Sequence, residues 1–277
     1  MRVEYETVKP KKRRTRRRMV LSVLEVVLLV VFVVAFYNVA KTLYDYKKGD
    51  DTYNDARASA VEQIVEVSPD AMQLDPHIGE PDIKVDLTKL QEENKDIFGW
   101  IYIPKTKINY PLLAPGDDDK YLRHTYKMEY NILGSIFVSQ DCGTDFLHQA
   151  HSLIYGHNTQ NGSMFGDLKE YKKRAYYDEH PIFYILTKDR IYKYRIFSAF
   201  TAETSSKVYQ MTFPTNANFS SWLEDMSKKS ETDFGVPIIA LGDASERIMT
   251  LSTCTSRTRT ERFVVNGILI DNWAPVV

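Results

Sequence analysis

The sequence predicts a mainly β protein with flanking helices: an eight-stranded, closed or nearly closed β-barrel preceded by an N-terminal transmembrane helix. Three observations predict it. A long apolar run follows a basic block near the N-terminus. Eight short β-branched or aromatic runs follow between residues 100 and 270, joined by irregular connections. One of those connections has helical rather than strand spacing.

The 277 residues suffice for one large domain plus an appendage. The net charge of −1 conceals an asymmetry. Residues 1–18 hold Lys9, Lys11, Lys12, Arg13, Arg14, Arg16, Arg17 and Arg18. Directly behind them lies Met19 to Ala40, apolar except for Ser22, Glu25 and Asn38. At helical rise this segment spans roughly 30 Å, the hydrocarbon thickness of a bilayer. The basic flank predicts a cytoplasmic N-terminus, so the rest of the chain lies outside the cell membrane. Glu25 costs roughly 2–3 kcal/mol if fully buried in lipid, and reads as a tolerated charge near one end of the span. A cleaved signal peptide fits less well, because Asn38-Val39-Ala40 is a poor small-x-small site. The basic block is fused to the apolar helix, and no basic–aromatic interleaving occurs elsewhere, so no nucleic-acid partner is expected.

Residues 41–81 read as an extracytoplasmic stalk, with helical composition from Asp55 to Val67. The globular domain is expected over 82–277. Asp86 can cap a helix through Leu87, Leu90 and Asn94, which Gly99 ends. The strand candidates are Trp100–Ile103, Ile108–Leu113, Ser135–Val138, Ser152–Tyr155, Ile182–Leu186, Ile191–Phe200, Ile248–Thr253 and Phe263–Ile270. Phe219, Trp222, Leu223 and Met226 recur at helical spacing within 218–229, so this connection packs an amphipathic helix on the barrel.

The chemistry concentrates in Thr250-Leu251-Ser252-Thr253-Cys254 and in Arg262-Phe263-Val264-Val265. If the two runs pair, Cys254 and Arg262 face one cleft. A thiol beside a guanidinium is a nucleophile beside an anion stabiliser. His157, in Leu153-Ile154-Tyr155-Gly156-His157-Asn158, can lower the thiol pKa as imidazolium and protonate a leaving amine. Ser252 and Thr253 can add hydroxyl or backbone donors for substrate. Cys, His and Arg suffice for acyl transfer through a thioester. Cys142 sits in a loop-like stretch and reads as incidental; both cysteines are expected to be free. His148 and His151 lie near His157, but no compact metal motif is present, and neither metal nor cofactor is expected. His124 and His180 read as structural.

These residues resemble the sortases, and specifically class B. Thr-Leu-Ser-Thr-Cys at 250–254 resembles the nucleophile strand, and Arg262 with Phe-Val-Val the arginine strand. Tyr155-Gly156-His157-Asn158, with Met164-Phe165 and Leu168, resembles the histidine segment. Trp100-Ile-Tyr-Ile-Pro104, Ile108-Asn-Tyr-Pro111, Tyr121-Leu-Arg-His124 and the helix near 218–229 also match. Serine before Thr-Cys favours class B over class A. The likeness covers roughly 86–271. It implies a membrane-anchored transpeptidase outside a Gram-positive cell. Such an enzyme cuts a C-terminal sorting signal of surface proteins after threonine, holds a thioester, and releases it to a cell-wall precursor amine or a pilin amine. By position, Cys254 is the nucleophile, His157 the general acid/base and Arg262 the oxyanion and substrate clamp. Arg257 and Arg259 are rivals for the arginine role.

Two other readings share these residues. A secreted cysteine peptidase would hydrolyse the same thioester. A non-catalytic, membrane-tethered binding or pilus-associated protein would use Cys254 only for packing.

Overall fold

The computed structural model describes residues 13–64, 79–236, 247–254 and 260–275. The chain divides into two compact units, Met1–Lys47 and Lys48–Val277. The described residues of the first, from Arg13 on, belong to helix α1 (Arg13–Ala60). Its side chains from Met19 to Val39 are exposed and overwhelmingly apolar. By length and composition α1 can cross a membrane.

The second unit contains a closed barrel and begins before Ile83. The end of α1 already belongs to it: Tyr53, Ala56 and Ala60 are buried there. Two short strands follow, β1 (Val61–Gln63) and β2 (Ile83–Val85), paired antiparallel. Helix α2 spans Thr88–Glu93. The Asp86 carboxylate accepts from the Thr88 amide at 2.9 Å, so it serves the first turn from just ahead of the cap.

The eight barrel strands are β3 (Ile97–Tyr102), β4 (Asn109–Leu113), β5 (Ile136–Val138), β6 (His151–Gly156), β7 (Ile182–Thr187), β8 (Ile191–Glu203), β9 (Ile248–Cys254) and β10 (Glu261–Trp273). Short helices α3 (Asp118–Tyr121) and α4 (Arg174–Glu179) lie in the connections. Each strand coincides with one of the eight sequence candidates. The strands close in the order β10-β8-β7-β3-β4-β5-β6-β9, with β9 returning to β10. Gly99 departs from expectation. The helix ends at Glu93, and Gly99 lies inside β3 at a register shift. A Cβ there would stand 2.7 Å from the Leu186 carbonyl oxygen, so close strand approach, not helix termination, explains the glycine.

Helix α5 (Asn216–Lys228) forms the β8–β9 crossover. Thr215 caps it, its hydroxyl accepting from the Asn218 amide. Phe219, Trp222, Leu223 and Met226 bury one face against Phe197, Phe200, Val264 and Ile268 of the barrel. Each such side chain contributes about 1.5–3 kcal/mol through removal from water. The Trp222 indole donates to the Lys207 carbonyl at 2.7 Å.

Candidate active site

The register of three strands builds the site. β9 pairs antiparallel with β10, and Cys254 stands directly opposite Arg262. Directly paired positions share a face of the sheet. β9 pairs parallel with β6, and Gly156 stands opposite Thr253. His157 therefore follows β6 at the level where Cys254 follows Thr253. Cys254 is described as a backbone position, and its side chain lies outside the described atoms. Arg257 and Arg259 lie outside the described residues.

His157 is held from two sides. Its Nε2 lies 2.7 Å from the Leu122 carbonyl oxygen. A carbonyl only accepts, so Nε2 carries the proton and Nδ1 holds the lone pair in the neutral ring. The His157 carbonyl accepts from the Phe165 amide at 2.9 Å, and Asn158 pairs with Met164. Burial holds the imidazole below its ordinary pKa. The Leu122 carbonyl opposes that shift, and the Arg262 cation adds to it. Arg262 thus acts electrostatically on His157 although their strands are not neighbours. Its Nη1 donates to the Glu261 carbonyl at 3.0 Å, which orients the guanidinium.

Thr250, Ser252 and Cys254 share one face of β9 by alternation. The chain between β8 and α5 covers that face. The Tyr209 hydroxyl lies 3.3 Å from Ser252 Oγ. His151 meets the Gln210 carbonyl through Nδ1 and Thr250 Oγ1 through Nε2, both at 2.8 Å. Thr250 Oγ1 also lies 2.6 Å from the Asn266 side-chain amide, which is 2.8 Å from Ser198 Oγ. Burial drives the His151 pKa down to about 4. Both His151 nitrogens are thus engaged within the fold, and His148 sits exposed beside Asp145. Ser252 is fully buried. Thr253 is also buried, on the opposite face, and its hydroxyl has no hydrogen-bond partner among the described residues.

The other singled-out residues have structural surroundings. Cys142 is buried; its sulfur accepts from the Leu153 amide at 3.3 Å, and burial pushes the thiol up to about 11. A thiol so protonated is a poor nucleophile. His180 is buried beside the Pro104 carbonyl, and the half-buried His124 lies near the Lys120 carbonyl. Sequence reasoning missed the Leu122 carbonyl and Tyr209. The first is a main-chain group with no side-chain signal. The second is one tyrosine among 18 in the chain.

Known proteins are similar to this chain in sequence and in barrel. Residues 101–270 match the sortase domain. Sortase B of Listeria monocytogenes is 30% identical over 249 residues, 89% of this chain and 95% of that protein. A crystal structure of sortase B from B. anthracis superimposes with a TM-score of 0.65 at 29% identity, covering 83% of this chain and 99% of that one. A Staphylococcus aureus sortase B–substrate complex superimposes at 0.57, also with 29% identity, covering 66% of this chain and 83% of that one. These relatives support a transpeptidase role at the level of the family. With the domain matched over more than half its length and a barrel of the same architecture, the chain belongs to the sortase family.

Proposed function

We propose that the protein is a membrane-anchored cysteine transpeptidase of the class B type, with Cys254 as nucleophile, His157 as general acid/base and Arg262 as oxyanion and substrate clamp. The register that pairs Cys254 with Arg262, one step beyond the Gly156–Thr253 pair that precedes His157, carries this reading.

His157 Nδ1 takes the Cys254 thiol proton, and the resulting thiolate attacks the carbonyl carbon of the threonine in a C-terminal sorting signal of a surface protein. A tetrahedral oxyanion forms, and the Arg262 guanidinium is its counter-charge. The C–N bond breaks, and His157 gives its Nδ1 proton to the departing amine. A thioester remains on Cys254. An amine from a cell-wall precursor, or from a pilin, attacks it; His157 takes the proton, the C–S bond breaks and an amide forms. Ser252 and Thr253 supply donors beside the acyl group, Thr253 through its backbone. The basic segment before Met19 stays in the cytoplasm, the apolar part of α1 anchors the chain, and the barrel works outside the cell.

The covalent intermediate tests the reading. A peptide library is incubated with the protein and read by mass spectrometry, with and without a wall-derived amine. Without amine, the intact mass should rise by the acyl fragment, located on Cys254, and hydroxylamine should release a threonine hydroxamate. With amine, an amide should form. Release of free acid alone in the presence of amine would make the protein a peptidase. Cleavage that survives Cys254→Ala would exclude the thioester.

A further inference from the structure

The last turns of α1 reach the loop that carries His157 by two routes, both from one helical face. Asp50, Tyr53 and Arg57 recur at spacings of three and four and so share that face. Gly49 lets the helix come close at its start, since a Cβ there would stand 2.4 Å from Leu133 Cδ1.

The first route runs through the loop after β6. Asp50 accepts from the Asn161 side-chain amide at the loop's tip, at 2.8 Å. Tyr53 packs edge-on against Tyr110, with ring centroids 5.2 Å apart, and the Arg57 guanidinium lies 5.2 Å over the same Tyr110 ring. The Tyr110 hydroxyl accepts from the Met164 amide at 2.9 Å. Met164 has φ +52°, a conformation an unbranched side chain keeps only when its neighbours hold it. Met164 is the partner of Asn158, and the next residue, Phe165, bonds the His157 carbonyl.

The second route runs under the imidazole. The Tyr53 hydroxyl donates to the Gly134 carbonyl. Gly134, at φ +58°, lies so close to Leu122 that a Cβ would stand 2.6 Å from the Leu122 oxygen. That oxygen accepts the His157 Nε2 proton. One helical face thus supports both the main chain of His157 and the acceptor that fixes its tautomer.

We propose that Asp50 and Tyr53 are positioning residues for His157, so that the last turns of the anchor helix are part of the catalytic apparatus. The inference rests on the proposed role of His157. Neither residue touches substrate; they act by fixing where the imidazole sits. A displacement of about 1 Å at a catalytic group can cost 10²-fold in rate.

The test uses the full chain in detergent. Its variants are Asp50→Ala, Tyr53→Phe, their combination, Asp50→Asn, and Asp51→Ala on the exposed side of the same turn. Active sites are counted by thiol alkylation, so that loss of folded enzyme is separated from loss of rate. The combined variant should lose about 10- to 100-fold in kcat per active site, with KM within about twofold. Asp50→Asn keeps an acceptor oxygen for Asn161 and should recover to within about threefold of wild type; Asp51→Ala should match it. A second readout needs no activity. The His157 imidazole is titrated by NMR without substrate and assigned by its loss in His157→Gln. Its midpoint should rise in the combined variant, because a loosened ring becomes better hydrated while Arg262 still bears on it. An unchanged kcat per active site together with an unchanged midpoint would overturn the inference. So would a fall in activity fully accounted for by fewer active sites. Full turnover by His157→Ala would overturn the proposed role of His157, whereas the NMR midpoint judges the support of the ring by itself.

Discussion

A single methyl group at Gly156 should damage both catalysis and stability. Gly156 is the last residue of β6 and immediately precedes His157. A Cβ there would stand 2.7 Å from Cδ2 and 2.8 Å from Cγ of the Phe165 ring. Ordinary carbon–carbon contact begins near 3.4 Å, so the strand end and the ring must separate by about 0.7 Å (3.4 − 2.7). Phe165 is fully buried, and its amide is bonded to the His157 carbonyl. The strand end must therefore give, and His157 moves with it. Overpacking of this kind costs about 1–3 kcal/mol of stability. For a domain of this size each kcal/mol lowers Tm by about 2–4 °C, so Gly156→Ala should melt roughly 2–12 °C below wild type. A shift of about 0.7 Å at a proton-transfer group should lower the rate of thioester formation by about 10- to 100-fold. Single-turnover acylation measured by intact mass, on enzyme shown to be folded by circular dichroism, separates the two effects. Wild-type acylation together with a lowered Tm would show that Phe165 yields instead of His157. No change in either quantity would refute the steric argument.

Arg262→Lys keeps the charge but loses the planar fork, so turnover should remain strongly impaired, and Arg262→Ala should lose about 10²–10³ in rate; near-wild-type steady-state turnover in Arg262→Ala would move the role to Arg257 or Arg259. Cys142→Ala should keep full turnover, and iodoacetamide should still abolish it, because the Cys142 thiol is buried and protonated. His151 titrates near 6.5 when unfolded and about 4 when folded, so below pH 6.5 the unfolded chain binds the extra proton and stability falls with pH. At pH 4, where the folded imidazole is half protonated, that amounts to about 3 kcal/mol, and urea unfolding of His151→Gln should show a correspondingly flatter pH dependence. A fragment starting at Lys48 should unfold cooperatively, whereas one starting at residue 82 loses the buried Tyr53 and its bond to Gly134 and should be less stable by about 3–5 kcal/mol; equal urea midpoints and slopes would show that α1 does not brace the barrel.

The barrel was legible because its strands are short runs of β-branched and aromatic residues set between turn-forming stretches. Their ends were less so. β8 and β10 run on to Glu203 and Trp273, past the polar residues where their apolar patterns fade, because each is paired along its whole length. The pairing of Cys254 with Arg262 could be anticipated from two apolar runs separated by a short connection. The packing of Lys48–Ala60 could not. Its buried stripe is Gly49, Tyr53, Ala56 and Ala60, three of them too small to raise a hydrophobic period above the charged residues between them. Gly99 misled for a related reason: a glycine after a helical segment resembles a stop, but here it relieves a close approach to Leu186. The acceptor for His157 was invisible because every residue carries a carbonyl, and only the fold selects which one is used.

Topology explains why residues nearly a hundred positions apart converge. His157 follows the C-terminal end of β6, and Cys254 is the last residue of β9. Had these strands paired antiparallel, the two ends would lie at opposite rims of the barrel. They pair parallel, which puts both at one rim and requires a crossover connection between them. Here the intervening chain supplies β7, β8 and α5 before β9 closes the ring. β10 runs back antiparallel to β9, so its first residues, including Arg262, begin at the rim where β9 ends. One parallel and one antiparallel pairing therefore suffice to assemble the three positions, and no long loop has to be folded inward to bring them together. The same crossover lays Tyr209 and Gln210 over β9, against Ser252 and His151. The connection demanded by the parallel pair thereby becomes a wall beside β9. The strand register that pairs Cys254 with Arg262 is set by β9 and β10 themselves, independently of that wall.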